Sequence, residues 1–205
     1  MSRDPARAAS QFFGGRVCLD FANTLDWRLT DSPVELIPDY AALLAWSERR
    51  GTMPARALAR LRRHRVESPA ADAVIREARV LRTQIWLLAD ELMAGRPPRL
   101  STLNERLAEL PSQPEVRAQG SRYVFDLSGT DLRQPLWPVL WSLTAVLTSE
   151  DATRMGCCQA KGCGWYFIDE SPNRSRTWCS SEVCGNRERV RRAYAKRRAR
   201  SETAP

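Results

Sequence analysis

Four cysteines near the C-terminus constrain the fold of this chain more than any other feature. They form two pairs with equal spacing, Cys158-x4-Cys163 and Cys179-x4-Cys184, with fifteen residues between the pairs. Four thiolates suit a closed tetrahedral zinc site, and fifteen residues are enough for a hairpin that brings the second pair back to the first. In a reducing compartment, cysteines at ligand spacing bind metal more often than they form disulfides. We therefore predict one structural Zn²⁺ bound by these four cysteines.

Two further cysteines fall outside this pattern. Cys18 lies in the apolar run Val-Cys-Leu-Asp-Phe, where a small buried side chain is the simplest interpretation. Cys157 adjoins the first ligand and could compete with it for the metal, but Cys158 gives the two pairs matching spacing. The predicted ligand set therefore excludes both Cys18 and Cys157.

The net charge of the chain is concentrated around the cysteines. The 205 residues carry a formal net charge of +8. Residues 154–200 contain twelve Arg or Lys against four Asp or Glu, whereas the rest of the chain contains twenty of each sign and sums to zero. Such asymmetry is typical of a segment that binds a polyanion. We favour DNA as this partner and keep RNA as an alternative.

The N-terminal segment and the apolar runs indicate a cytoplasmic protein. The first fifteen residues, MSRDPARAASQFFGG, lack the apolar centre of a secretory signal. The longest apolar run, Leu136–Leu147, is too short to cross a bilayer and is interrupted by Pro138. We therefore expect no membrane partner.

Hydrophobic periodicity predicts an α+β fold whose N-terminal part is mostly helical. Start and stop residues indicate helices at about 38–51, 54–65, 68–95, 101–110 and 135–149. Alternation over residues 123–127 indicates a strand that could pair with 115–118. The expected organisation is a flexible lead-in (1–15), an N-terminal domain with a small β element (16–150), a zinc-binding module with a basic helix (154–200) and a short tail (201–205).

Residues 15–27 fit neither period cleanly, so a helix and a short buried strand both remain open. The polar residues Asp20, Asn23 and Asp26 could line a small pocket, but a solvent-exposed face is the simpler interpretation. The only histidine, His64, is expected at an exposed helix position. The sequence contains no phosphate-binding glycine loop, no Gly-x-Ser-x-Gly elbow and no His-Glu-x-x-His motif. We therefore predict that the chain is not an enzyme.

The aromatic residues of the cysteine module, Trp165, Phe167 and Trp178, have two interpretations. They could stack on nucleic-acid bases, but a module of about forty residues has little else to bury, so we favour a small core over the metal. Ser180 and Ser181 offer N-caps for the helix that follows. The order of knuckle, hairpin and helix is the treble-clef arrangement, in which the helix projects from the zinc site.

This module resembles the CGNR zinc-finger family, named for the tetrapeptide found here at residues 184–187. The pattern C-x4-C-x-W-x-F-x-D-x-S-x-N-x-x-R-x-W-C-x4-C-G-N-R is matched at Cys158, Cys163, Trp165, Phe167, Asp169, Ser171, Asn173, Arg176, Trp178, Cys179 and residues 184–187. Residues 14–27 similarly resemble the start of the ABATE domain, which usually precedes this finger in stress-induced bacterial transcription regulators. The resemblance implies four cysteine zinc ligands, a treble-clef or zinc-ribbon-like finger and a role in binding DNA.

Together these features predict a DNA-binding transcription regulator. For its N-terminal domain the resemblance implies an α+β fold. We expect this domain to sense an unknown small-molecule effector or to form a homodimer. Two alternatives stay open: an RNA-binding accessory protein, and a protein-interaction or small-molecule-sensing module whose arginines form a solvated tail. The residues predicted to contact nucleic acid are the basic residues of the hairpin and the helix, namely Arg174, Arg176, Arg187, Arg189, Arg191, Arg192, Lys196, Arg197, Arg198 and Arg200.

Overall fold

The computed structural model describes residues 11–63, 67–110, 115–126 and 129–202. These ranges contain seven α-helices: α1 (Val17–Ala22), α2 (Tyr40–Arg50), α3 (Ala55–Arg63), α4 (Pro69–Met93), α5 (Ser101–Ala108), α6 (Trp137–Leu147) and α7 (Asn186–Glu202). They also contain three antiparallel strand pairs: β1 (Leu25–Asp26) with β2 (Val34–Glu35), β3 (Glu115–Gln119) with β4 (Arg122–Asp126), and β5 (Met155–Cys157) with β6 (Tyr166–Ile168). The predicted α+β fold with mostly helical N-terminal part is confirmed. No helix in the described ranges is long and apolar enough to cross a membrane.

Local capping residues explain where the main helices begin and end. The Asp39 carboxylate accepts a hydrogen bond from the Ala42 amide at 2.8 Å, and Gly51 ends α2 with a φ of 70°. Ser68 caps α4 by accepting from the Ala71 amide at 3.2 Å. The predicted helices are therefore confirmed to within a few residues. His64 lies outside the described residues.

The long helix α4 is the centre of the main hydrophobic core. Its buried side chains follow steps of four and three, so they form one face that packs against α1 and α2. The core side chains of this face are Val74, Ala78, Leu81, Ile85 and Leu88. The helix α1 also packs on α6, which closes the core on its other side.

Residues 11–15 are packed against the body, so the predicted flexible lead-in is wrong for this part; residues 1–10 lie outside the described ranges. The ring of Phe12 meets Trp46 edge to face, with centroids 6.4 Å apart. The amide of Gly14 donates to the Asp20 carboxylate at 2.8 Å, and its carbonyl accepts from Ile168 at 3.0 Å. These contacts tie the segment to α1 on one side and to β6 on the other.

The segment 15–27 forms both α1 and strand β1, and its polar residues do not form a solvent face. Asp20 and Asn23 are 4% and 3% exposed. Asp20 also pairs with Arg50 at 2.7 Å, and burial raises the pKa of this carboxyl despite that arginine. The prediction of a solvent-exposed face is therefore wrong for Asp20 and Asn23. Asp20 accepts from the backbone amide of Gly14, six residues earlier, and Asn23 bonds to the backbone of Tyr166, 143 residues later.

Strand β6 belongs to two hydrophobic clusters at once. Successive side chains of a strand point to opposite faces. Tyr166 and Ile168 consequently enter the main core, while Phe167 enters a smaller cluster around the four cysteines. The strand pairs with β5, which precedes the first cysteine pair, and not with the chain that leads back to Cys179.

Asn23 completes the hydrogen bonding of β6 on the side away from β5. Its amide nitrogen donates to the Tyr166 carbonyl at 2.9 Å, and its amide oxygen accepts from the Tyr166 N–H at 2.8 Å. At Tyr166, a single side chain thus takes the place of a neighbouring strand. The N-terminal helices and the cysteine module therefore share one strand and one set of buried hydrogen bonds.

Candidate metal centre and basic helix

Cys158, Cys163, Cys179 and Cys184 are brought together as one buried cluster, in which all four sulfur atoms lie within 4.8 Å of one another. The Sγ atoms of Cys163 and Cys179 are 3.8 Å apart, those of Cys179 and Cys184 3.4 Å, and those of Cys184 and Cys163 3.7 Å. These separations exceed the S–S bond of about 2.05 Å found in disulfides. None of the four cysteines forms a disulfide bond.

The cluster fits a tetrahedral metal ion. Zinc–sulfur bonds of about 2.3 Å in a regular tetrahedron place the sulfur atoms about 3.8 Å apart. The separations of 3.4–3.8 Å among Cys163, Cys179 and Cys184 agree with that geometry, and the Cys158 sulfur lies within 4.8 Å of each of them. Four sulfur ligands with no free position suit a structural ion and leave no site for a substrate. The cysteine cluster can therefore hold one structural zinc ion.

The other two cysteines do not belong to this cluster. Cys18 is fully buried in the main core, and burial raises the pKa of its thiol to about 12. Cys157 lies in β5 opposite Tyr166, and burial raises the pKa of its thiol as well. Neither sulfur atom belongs to the group of four that lie within 4.8 Å of one another.

The first cysteine pair is held by a tight turn that lies against residues 27–30. Gly162 has a φ of +81°, and a Cβ atom there would approach Thr30 Cγ2 to 2.6 Å and the Trp27 ring to 3.2 Å. The Gly162 carbonyl accepts from the Leu29 amide at 3.3 Å. Only glycine fits this combination of left-handed backbone and close approach. The N-terminal region therefore forms one wall of the metal site.

The second cysteine pair leads directly into α7. The Ser180 hydroxyl accepts from the Val183 amide at 3.2 Å, and the chain makes one wide helical turn over Ser181–Gly185. Gly185 packs closely on Trp178, since a Cβ atom there would lie 3.0 Å from that ring. The predicted N-cap at Ser180 is thus confirmed, and α7 starts at Asn186, directly after this turn.

The predicted finger core is present and includes residues of the N-terminal region. Trp165 and Phe167 are buried beside the cysteines, and Trp178 is packed on them at partial exposure. Phe13 and Leu36 contribute to the same cluster from outside the cysteine module. Because these aromatic rings are enclosed by protein, stacking on nucleic-acid bases is not available to Trp165 and Phe167.

Arg176 is used inside the protein, in contrast to its predicted contact with nucleic acid. Its guanidinium donates to the carbonyls of Trp178 and Ile168, each at 3.0 Å, and of Phe13 at 2.9 Å. It also lies over the Phe167 ring, with Cζ 4.3 Å from the centroid. A sequence cannot distinguish a guanidinium with such internal contacts from one that is free on the surface, because the groups that it touches are brought together only by folding.

Arg187 likewise makes internal contacts. Its guanidinium lies over the Trp27 ring, 4.2 Å from the centroid, and approaches Cys184 Sγ to 3.6 Å. The next residue, Glu188, is buried and accepts from the Lys161 amide at 3.1 Å. The first turn of α7 is therefore fixed to the metal site and to the N-terminal region.

Beyond this first turn, α7 leaves the body of the protein. All residues from 189 to 199 are exposed, including Tyr194 at 69%. The helix contains eight basic and two acidic residues, and one acid, Glu188, is buried. Arg191 pairs with Glu188 at 2.6 Å, and Arg189 donates to the Ser181 carbonyl. The exposed part of α7 thus carries a high density of positive charge, and no other described residue covers it.

The other residues predicted to contact nucleic acid lie in the hairpin turn and along α7. Arg174 is exposed, with a φ of 49°, at the turn after β6. The backbone of Arg200 continues α7, but its side chain lies outside the described part of the structure. The side chains of Arg192, Lys196 and Arg197 are exposed and have no hydrogen bond or ion pair within the described residues. Seven of the ten predicted positions are therefore exposed side chains, while Arg176 and Arg187 have internal roles.

Comparison with known families agrees with this arrangement. Residues 154–197 match the CGNR zinc finger, and residues 15–150 match ABATE, described as "Putative stress-induced transcription regulator". Neither description names an enzyme. A comparison with curated proteins finds no match. Since the ABATE match covers well over half of the chain, the protein belongs to the ABATE family and carries a CGNR zinc finger after the ABATE region.

Proposed function

We propose that this protein is a DNA-binding transcription regulator in which α7 contacts DNA. One observation carries the proposal: a helix with eight basic residues extends from the metal site, and its residues 189–199 are exposed. A helix that is polar all round and packed only at one end gains little from burial. Repulsion among its arginines is relieved when phosphates neutralise them. A polyanion is therefore the partner that suits this helix.

Zinc has a structural role in this proposal. Cys158, Cys163, Cys179 and Cys184 would hold the ion, and four metal–sulfur bonds would fix the turn from which α7 begins. Arg187 holds the first turn of α7 against Trp27, and Glu188 holds it against the Lys161 amide. The direction of the helix is thereby set by the body of the protein before DNA is bound.

The salt dependence of binding tests this proposal. If α7 neutralises about five phosphates, the affinity of the zinc-loaded protein for duplex DNA falls with salt at a log–log slope of about −4 to −5. The double variant Arg192→Ala/Lys196→Ala is expected to reduce the magnitude of the slope by about 1.8, because two phosphate contacts are lost. A slope near zero for the unmodified protein rejects the proposal.

A matched control removes the same charge elsewhere. Arg49 and Arg63 are exposed in the N-terminal region, at the ends of α2 and α3. The variant Arg49→Ala/Arg63→Ala is expected to keep the full slope. Competition with a structured RNA distinguishes DNA from RNA, since preferential displacement by RNA would favour an RNA-binding accessory protein instead.

A second role, sensing of a small molecule, is favoured by a cavity of about 430 Å³ beside α4, a size typical of ligand pockets. Its apolar walls include Leu81, Leu88 and Leu143, and Glu91 and Arg99 provide polar groups. A thermal-shift screen of small amphipathic metabolites on the intact protein tests this role. The expected result is a stabilising compound whose effect disappears when Leu143→Trp fills the cavity; a shift that persists in this variant excludes the cavity.

A further inference from the structure

The way α7 is attached to the body determines which of its faces can meet a partner. Glu188 is 3% exposed and marks the side of the helix that faces the protein. Arg197 follows nine residues later, which is two and a half turns of an α-helix. Arg197 therefore lies on the side of α7 that points away from the body.

Three residues share this outward face. Val190, Ala193 and Arg197 are separated by steps of three and four, so they lie one above another on the helix surface. All three are exposed, and Val190 is 47% exposed. The outward face, defined by these three residues, thus combines two small apolar groups with one guanidinium.

Two rows of polar and basic residues flank the outward face. At 100° per residue, each row lies about 100° from the centre of this face, one on either side. Row one consists of Arg191, Tyr194 and Arg198, and row two consists of Arg189, Arg192 and Lys196. From 189 to 200 the helix contains no acid. Positive charge therefore borders the outward face along both edges.

This pattern matches the cross-section of a helix in the major groove of DNA. The groove is about 12 Å wide and admits one α-helix, which then has a phosphate backbone on each side and base edges in front. Arginine, lysine and tyrosine side chains all contact phosphates. In duplex RNA the major groove is deep and narrow, and side chains do not reach its bases. The charge complementarity on both edges thus favours duplex DNA.

We propose that Val190, Ala193 and Arg197 contact base edges in the major groove and so determine which sequence is bound, while the two rows bind the phosphates on either side. This inference rests on the proposed function. An arginine pairs with O6 and N7 of guanine, and small apolar side chains contact the thymine methyl group. Val190 and Arg197 are separated by about 10 Å along the helix, which spans about three base pairs. The preferred site therefore places a guanine about three base pairs from a thymine.

Selection from a randomised duplex library by the zinc-loaded protein tests this inference, together with two matched variants. Arg197→Ala and Arg192→Ala each remove one exposed arginine from the same helix, and alanine favours helix formation, so both variants are expected to fold. Arg197→Ala is expected to reduce the discrimination for one guanine by about 5- to 160-fold at unchanged salt slope. Arg192→Ala is expected to reduce the magnitude of the log–log salt slope by about 0.9 and to keep the base preference.

The outcomes separate this inference from the proposed function. If the unmodified protein shows no salt-dependent binding to duplex DNA, the proposed function fails, and the inference fails with it. If the protein binds with the expected slope but Arg197→Ala relaxes no base position, only the inference is overturned. Tighter binding to duplex RNA than to duplex DNA also overturns it, because the outward face could not then reach the base edges.

Discussion

Asn23 gives the sharpest test of whether the N-terminal helices and the metal site form one cooperative unit. Its side chain is the only described group that satisfies the Tyr166 N–H and C=O on the side of β6 away from β5. The substitution Asn23→Ala leaves both backbone groups buried without these partners. Because Asn23 and Tyr166 are 3% and 0% exposed, water cannot replace the lost amide without local opening.

The expected cost follows from these two hydrogen bonds. An unsatisfied buried donor or acceptor costs about 1–3 kcal/mol, and two such groups are created. The loss of the buried amide itself offsets part of that cost, which places the expected destabilisation at about 2–4 kcal/mol. For a chain of this size, each kcal/mol lowers Tm by about 2–4 °C. We therefore expect Tm to fall by about 4–16 °C.

Two measurements on the zinc-loaded protein check this prediction. Thermal unfolding followed by circular dichroism reports on the helices, and transfer of zinc to a chromophoric chelator reports on the metal site. Because β6 connects both regions, Asn23→Ala is expected to lower Tm and also to accelerate zinc release. The matched control is Asn104→Ala, which removes an exposed asparagine from α5 and is expected to change neither quantity.

Either of two results would refute the reasoning. If Asn23→Ala lowers Tm no more than Asn104→Ala does, the two hydrogen bonds contribute nothing to stability. If it lowers Tm but leaves the rate of zinc release unchanged, the metal site is energetically independent of the N-terminal helices.

Two further predictions concern the metal site. Cys179→Ser is expected to abolish stoichiometric zinc binding, measured by metal analysis, whereas Cys18→Ser is expected to retain one zinc. Cys18→Ser is also expected to lose about 1–3 kcal/mol of stability, because it buries a hydroxyl group. Equal zinc content in both variants would contradict the ligand set. Gly162→Ala is expected to destabilise the protein more than Gly51→Ala in thermal unfolding, because both positions have a left-handed backbone but only a Cβ at 162 would meet Thr30 at 2.6 Å; equal losses would mean that this contact is easily relieved.

The features that could be predicted from the sequence are those specified by local residues. Asp39 and Ser68 cap helices through amides three residues away, and the spacing of the cysteine pairs reflects the chemistry of one ion. The alternating residues of β4 also indicated its hairpin with β3, which the structure contains. Such signals need no knowledge of the remaining fold.

The features that could not be predicted depend on partners far along the chain. Asn23 meets a strand 143 residues later, and its polarity alone suggested a solvent-exposed position. Arg176 resembles the arginines of α7 in sequence, yet its donors are used by buried carbonyls. Strand β5 has only three residues and no alternating pattern. In each case, the residue or strand bonds to backbone groups that only the folded chain brings close to it.

The shared strand β6 has a consequence for how the chain acquires its structure during synthesis. Domains generally fold as units, starting from the N-terminus, as they emerge from the ribosome. Here the core around α1 and α4 lacks Tyr166 and Ile168 until the C-terminal quarter has been made. A nascent chain that ends at residue 150 has every N-terminal helix but an open core and an unpaired Asn23. The main core is therefore complete only after the segment that contains β6 has left the ribosome.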